Sequence, residues 1–437
     1  MKTVALRAKP RIWRLILFCF FCLAVAFAMT LAEAAAPSQR DFWVRDNSSS
    51  APARRAHATL LAAGARALVY VEDRVARQLS QDFLNRLEWQ LDSAAPAAAY
   101  QSDVGIVPLE ERIYGALPKG PAGEDRLVVL FTDAGSASAD TWHSLYDQFS
   151  DADAMEKYRQ HSNEGNVVYV NGFQGYETRT TASIARELEA LLSSGGGARE
   201  SWLERTAAEG AQLLTGFFVG QDRVNQFATD TGKFPLVSPA SLQGGPQLLF
   251  ASFLIDTLPL ANGTAMGGLS RVRKTGRDAV EELVQSRTEE PLNFDAIFSN
   301  FVSYVFSQAD GAPSLPGAWR HSPGITLPKI APFFTYQAGS GELSASLAPY
   351  SFVAIDLAQE LSPAAIISVE RVAPEAGITA TPCAASASVL WKPVNKPRLA
   401  IYAVGCDPTD KPEMVQFRLK ILDHPSLFPA GPFKISR

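Results

Sequence analysis

The sequence has few of the side chains that most often bind metal ions. Its 437 residues include five histidines and four cysteines. A helical zinc motif needs two histidines four residues apart, and no two of these histidines have that spacing: they are His57, His143, His161, His321 and His424. This absence counts against a zinc site built on histidine pairs.

Several motifs that define other functions are also absent. The sequence has no G-x-S-x-G elbow of a serine hydrolase, no G-x-x-x-x-G-K-[ST] phosphate loop and no G-x-G-x-x-G after a strand. The formal net charge is -5, and no lysine- and arginine-rich stripe follows the N-terminal segment. Nucleic acid is therefore not an expected partner, because its phosphates require a basic surface.

The N-terminal segment predicts export. Basic residues precede an almost wholly apolar run at 15–31, and A-E-A at 32–34 supplies a small-x-small cleavage pattern. We expect a signal peptide at 1–34 and a location outside the cytoplasm, either periplasmic or secreted. The apolar run approaches the lower limit of a membrane span, so an uncleaved anchor is the alternative and the only membrane contact expected.

Removal of the signal peptide would leave two cysteines, Cys383 and Cys406. An even pair in an oxidising compartment predicts a disulfide, with two buried free thiols as the alternative. With 47% hydrophobic and 19% charged residues, the rest of the chain can bury sizeable cores, and its length indicates more than one domain.

The most informative stretch is 180–214. It predicts two helices, 180–192 and 200–214, joined by an S-S-G-G-G turn. In the first helix Ile184, Leu188 and Leu191 recur on one face, which is typical of a helix lying on a core. A strand N-V-V-Y-V-N is predicted at 166–171, just before this pair of helices.

Three motifs in this region carry a family resemblance: the strand at 166–171, R-E-L-E-A at 186–190 and W-L-E-R-T-A-A-E at 202–209. Their order resembles that of the hyicolysin-type secreted metallopeptidases, gluzincin-like zinc enzymes. In that family a Y-x-N-like strand precedes an H-E-x-x-H helix, and a later W-L-[N/D]-E-G run supplies the third metal ligand. The resemblance places Arg186, Ala190 and Arg205 at the three ligand positions and Glu187 at the position of the general base.

The resemblance implies a degenerate site without metal or other cofactor. Arginine presents only donors and keeps its proton, so it cannot ligate a cation. We expect Glu187, the remnant and inactive base, to accept hydrogen bonds from Arg186, Arg205 or both. Nearby residues singled out with it are Trp202, Glu189, Glu204 and Glu209. The alternative is that Arg186 and Glu189 are solvated and that Arg205 and Glu209 form an exposed i,i+4 pair.

The remaining pattern predicts an α+β fold. Strands at 66–71 and 126–131 flank a helix that begins after Asp73, residues 38–53 form a surface lead-in, and 135–165 is a long polar loop. Helices follow at 247–254, 278–284 and 294–306. The resemblance implies a zincin-like domain at 35–311 with a mixed sheet and a helical C-terminal lobe. A Pro/Gly-rich linker at 312–332 then precedes an antiparallel β-sandwich at 333–437, with strands expected at 352–357, 365–369, 386–391, 399–404 and 416–421.

These expectations favour an inactive homologue of such a peptidase that binds a peptide or protein in the former cleft. One alternative is an active zinc endopeptidase with a ligand set that includes Glu204 or Glu209, in which case zinc is the cofactor. Another is a structural or adhesive envelope protein that binds through its β domain.

Overall fold

The computed structural model describes most of the chain between residues 36 and 422. The described ranges are 36–45, 52–121, 123–135, 140–172, 177–194, 199–217, 219–238, 244–258, 265–288, 291–309, 327–337, 342–357, 366–371, 384–390, 398–404 and 415–422. The predicted signal peptide, most of the predicted linker, and Cys383 and Cys406 of the predicted disulfide lie outside these ranges. No helix within them is both long and apolar enough to cross a membrane.

The N-terminal half is built on a six-stranded mixed sheet with the strand order β1-β2-β3-β4-β6-β5. The neighbours β3, β4 and β6 are parallel, whereas β5 pairs antiparallel with β6 at one edge and β1 and β2 pair antiparallel at the other side. The strands are β1 Gln39–Val44, β2 Arg54–Ala63, β3 Ala67–Glu72, β4 Leu127–Thr132, β5 Thr141–His143 and β6 Asn166–Asn171.

The composition of the central strands explains their position. β3, β4 and β6 are continuous apolar runs with nearly every residue buried, as expected for parallel strands covered on both faces. One face packs against helices through Val69, Val129 and Val168. The opposite face buries a smaller cluster that includes Tyr70 and Trp142.

Ten α-helices are described. α1 and α2 precede β4, α3 lies between β5 and β6, and the other seven follow β6. Their bounds are α1 Gln81–Asp92, α2 Ile106–Tyr114, α3 Asp151–Tyr158, α4 Glu177–Ser193, α5 Ser201–Leu214, α6 Gln221–Thr229, α7 Gly245–Thr257, α8 Ala265–Arg271, α9 Gly276–Gln285 and α10 Phe294–Ala309. Almost all of α7 is buried, which agrees with its uniformly apolar sequence.

The C-terminal strands form a three-stranded sheet, β10-β13-β8, and a four-stranded sheet, β11-β12-β9-β7. Their bounds are β7 Pro332–Tyr336, β8 Glu342–Leu347, β9 Phe352–Leu357, β10 Ile366–Arg371, β11 Ala384–Leu390, β12 Arg398–Val404 and β13 Val415–Leu422. The expectation of wholly antiparallel pairing is wrong at one position, because β7 and β9 are parallel.

The larger of these sheets shares a hydrophobic core with the helices. Phe298 on α10 contacts the rings of Tyr350 and Tyr402, and Phe227 on α6 contacts Phe352 on β9. Residues of β9 and β12 belong to the same buried cluster as α5, α7 and α10. The chain is thus a mixed α/β protein in which the four-stranded C-terminal sheet packs on the helical region.

Three expectations for the N-terminal half are corrected. The predicted surface lead-in contains β1, which pairs with β2. The helix expected after Asp73 begins at Gln81, where the Ser80 hydroxyl accepts a hydrogen bond from the Phe83 amide at 3.2 Å. The segment predicted as a long polar loop contains β5 and α3.

Candidate functional site

Helix α4 is placed by its apolar face. Ile184 and Leu188 are fully buried against the sheet, which leaves Arg186 and Glu187 half-buried at the border of the helix. α4 also packs against α5, which carries Arg205. The periodicity of the sequence predicts this orientation, because charged residues fall beside the apolar stripe.

Glu187 pairs with a histidine of the edge strand. The Glu187 Oε2 atom lies 2.7 Å from Nδ1 of His143 on β5, and the two side chains are 21% and 19% exposed. The expectation that Glu187 accepts hydrogen bonds from Arg186 or Arg205 is therefore wrong. His143 was missed because it lies 44 residues before Glu187 and only the pairing of β5 with β6 brings it to α4.

Arg186 and Arg205 lie on two helices that pack against each other. Burial, followed by the charges of Arg186 and Arg223, lowers the pKa of Arg205, and the charge of Glu209 opposes this shift. A methyl group added at Gly244 would lie 3.4 Å from Arg205 Cδ and 2.5 Å from Arg223 Nη1, so the side chains of Arg205 and Arg223 meet beside the start of α7. Sequence reasoning did not identify Arg223, since nothing in the pattern of α6 marks it as part of a site.

Glu209 is the buried counterion of Arg223. It is completely buried, and both of its carboxylate oxygens accept hydrogen bonds from Arg223, with Nη2 2.9 Å from Oε2. Burial alone would lower the pKa of Arg223, but the hydrogen bonds and charge of Glu209 raise it. The predicted exposed pair of Arg205 and Glu209 is therefore wrong.

The other residues singled out from the sequence are not gathered at one point. Glu189 is buried and accepts hydrogen bonds from Ser193 Oγ at 2.7 Å and Arg199 Nη1 at 3.0 Å, so it is not the solvated residue of the alternative interpretation. Burial raises its pKa. Glu204 is exposed, and Ala190 is half-buried on α4.

Trp202 is a core residue. It is 2% exposed, its ring contacts those of Phe250 and Phe294, and its indole N–H donates to Glu200 Oε2 at 2.8 Å. The W-L pair at the start of α5 therefore anchors the helix, and Arg205 follows one turn later.

The side chains at the predicted ligand positions do not fit zinc. Arginine at positions 186 and 205 offers only N–H donors and Ala190 offers no ligand atom, while the carboxylate of Glu209 is already bound by Arg223. Within the described ranges, no three or more His, Cys, Asp or Glu side chains are grouped so that they could hold a metal ion.

The edge strand β5 offers backbone N–H and C=O groups beside the Glu187–His143 pair. The carbonyl of Asp140 accepts a hydrogen bond from the Asn171 amide at 2.9 Å, so Asp140 and, two residues on, Trp142 direct their backbone groups at β6. Because alternate residues of a strand point their N–H and C=O in opposite directions, those of Thr141 and His143 face away from β6. Among the described strands, β5 is the last of the sheet on this side.

A small depression separates the beginning of β5 from α4. It is lined by Asp140, Thr141, Val170, Asn171, Gly172, Arg179, Thr180 and Ser183. The open edge, this depression and the Glu187–His143 pair lie along one side of α4.

Comparisons with known proteins assign no family. No family model matches the chain, and a search of curated proteins finds no match.

Proposed function

We propose that the chain is a secreted or periplasmic module that binds an extended peptide or protein segment and is built on a zincin-like fold without zinc or hydrolytic activity. The observation that carries this proposal is the packing of α4 against α5, because these helices carry Arg186 and Arg205, at two positions where the resemblance to hyicolysin-type peptidases places metal ligands.

The order of elements supports the zincin-like part of the proposal. β3, α1, β4, β6 and α4 occur in the order expected from the resemblance, with α2 also preceding β4 and with β5 and α3 inserted between β4 and β6. Glu187, at the position of the general base, lies on the face of α4 that borders β5.

The chemistry of the site supports binding without cleavage. A zinc peptidase needs a metal-bound water as nucleophile, and arginines at 186 and 205 provide no ligand for the metal. The outward N–H and C=O groups of Thr141 and His143 can still pair with an added strand. A peptide held there would lie next to Glu187 without meeting an activated water.

The test begins with a random peptide library, screened against the chain without residues 1–34. For a peptide that binds, N-methylation of every second amide should lower the affinity by about tenfold at each position that donates to β5, and methylation of the intervening amides should change little. Thr141→Pro should lower the affinity in the same way, because it removes an outward N–H while the bonds to β6 remain.

Two results would overturn the proposal. One is stoichiometric zinc in the purified protein together with casein cleavage that a chelator abolishes, which would support the active peptidase instead. The other is peptide binding that responds equally to methylation at all positions and not at all to Thr141→Pro, which would place the peptide elsewhere.

A further inference from the structure

We propose that the helical region binds the alkyl chain of an uncharged amphiphile in a cavity between α7, α9 and α10. This inference goes beyond the proposed function and does not depend on the peptide site at β5. It begins from the size of the cavity, about 460 Å³. Protein interiors contain few voids larger than a water molecule, so a space of this size indicates a ligand site.

The wall of the cavity is mainly apolar. Its apolar side chains come from the three helices and from the segments that follow α7 and α9: Phe253, Leu254, Leu258, Val284, Leu292 and Ile297. Leu254 and Ile297 are at most 1% exposed. A molecule that fills this space gains by removing hydrocarbon surface from water.

The polar side chains of the lining are engaged within the protein. The hydroxyls of Thr257 and Ser303 each donate to a carbonyl one turn earlier in their own helices, at 2.6 and 3.1 Å. The Tyr304 hydroxyl donates to Asp256 Oδ2 at 2.7 Å. Among the described residues that line the cavity, none is charged. The buried part of the ligand is therefore uncharged, because a charge there would have no counterion.

Hydrogen bonds hold the three helices at fixed spacings. The Tyr304 hydroxyl on α10 bonds Asp256 and lies 2.8 Å from Ser252 Oγ, both on α7. At the start of α10 the Phe294 amide donates to Glu281 Oε1 on α9 at 2.7 Å. Walls fixed in this way resist collapse into the cavity. The site is thus preformed, which lowers the cost of binding.

The cavity reaches solvent at a polar rim. Asn300 is exposed, and Thr257, Thr288 and Ser303 are half-buried. An amphiphile fits this arrangement with its apolar chain inside and a neutral polar head at the rim. An apolar cavity of about 150 Å³ holds benzene, so this one accommodates at most on the order of 18 carbon atoms. Rotation about its single bonds lets an alkyl chain follow the walls.

The experiment titrates the purified protein with straight-chain alcohols from butanol to decanol in a calorimeter. Each added CH₂ should raise the affinity about fourfold, which corresponds to about 0.8 kcal/mol of buried hydrocarbon. Decanoate should bind no more tightly than decanol, because no cation lies in the described lining.

Variants at one position locate the binding. Ser303→Phe places a ring in the cavity from α10 and should weaken decanol binding by about 100-fold or more, because the ring displaces several CH₂ groups. Ser303→Ala leaves the cavity open and should keep the affinity within about twofold. Val284→Phe fills the cavity from α9 and should act as Ser303→Phe does. Circular dichroism verifies that each variant is folded.

Four results would contradict the inference. An affinity that does not change with chain length excludes burial of the chain. Equal affinities of folded Ser303→Phe and Ser303→Ala place the alcohol elsewhere. Decanoate bound about tenfold more tightly than decanol excludes the uncharged class. If no alcohol binds, another part of the chain or a second copy fills the cavity. None of these results affects the peptide proposed at β5.

Discussion

His143 Nδ1 lies 2.7 Å from Glu187 Oε2, and this contact connects the edge strand β5 to the helix α4. β5 is only three residues long, so it has few backbone bonds to β6. The side-chain contact therefore helps to hold the edge against which a peptide is proposed to lie.

Replacing His143 should loosen this edge. In His143→Ala, we expect a loss of about 1 kcal/mol in the free energy of unfolding, the usual contribution of one hydrogen bond. We also expect faster hydrogen exchange at the amides of β5 and weaker peptide binding. Hydrogen exchange followed by mass spectrometry measures the effect locally.

The matched control is His57→Ala. His57 Nδ1 lies 2.8 Å from Asp41 Oδ1, but both side chains are 49% exposed. Its loss should not change exchange in β5. Equal exchange of β5 in the His143→Ala variant and the unaltered protein would show that the contact does not hold the edge.

The buried pair of Glu209 and Arg223 should be essential for stability. Glu209→Gln removes the buried carboxylate that binds Arg223 through both oxygens, and we expect a loss of about 3–5 kcal/mol in the free energy of unfolding, as for other broken buried pairs. Urea unfolding measures this change.

An exposed pair provides the comparison. Glu177 accepts two hydrogen bonds from Arg86, and the two side chains are 42% and 56% exposed. Glu177→Gln should cost less than about 0.5 kcal/mol, because solvent screens such pairs. If the two substitutions had equal effects, Glu209 would not be the counterion that the half-buried side chain of Arg223 requires.

Asp147 should make stability depend on pH. Burial raises the pKa of Asp147 from 3.8 to about 7, against hydrogen bonds from the Tyr169 hydroxyl and the Asn163 amide. At a pH between 3.8 and about 7, Asp147 has released its proton in the unfolded chain but keeps it in the folded chain. Stability contributed by Asp147 is therefore present at low pH and is lost as pH rises from about 4 to 7.

Asp147→Asn should remove this dependence. The difference in unfolding free energy between the variant and the unaltered protein should grow in favour of the variant across that range, by roughly 3–5 kcal/mol in total. Urea unfolding at pH 4, 5.5 and 7.5 measures it. A difference that stays constant with pH would mean that Asp147 titrates alike in both states.

The sequence predicted the elements whose own composition determines them. β6 was predicted with its observed bounds because it is a buried apolar run, and α4, α5 and α10 were located within three residues by their apolar faces. The Arg186 and Arg205 positions came from the resemblance to a peptidase family, whose motifs lie on these helices. Such features depend on residues that are neighbours in the chain.

What the sequence did not predict depends on pairing between distant segments. Half of the six residues of β1 are polar, without the alternation that marks a strand, and β1 pairs with β2. β5 is three residues within a polar stretch, so no periodicity marks it. His143 and Arg223 reach the site through these tertiary contacts, and hence neither could be assigned as a partner of Glu187 or Glu209.

The most direct test of the central claim is to restore the metal ligands. In the triple variant Arg186→His, Ala190→His and Arg205→Glu, two imidazoles one helical turn apart and a carboxylate from α5 should bind about one zinc ion per chain. A double variant that keeps Ala190 is the control and should bind zinc more weakly. Elemental analysis after dialysis should find zinc in the triple variant and almost none in the unaltered protein. Stoichiometric zinc in the unaltered protein, or none in a triple variant whose circular dichroism shows it to be folded, would contradict the account.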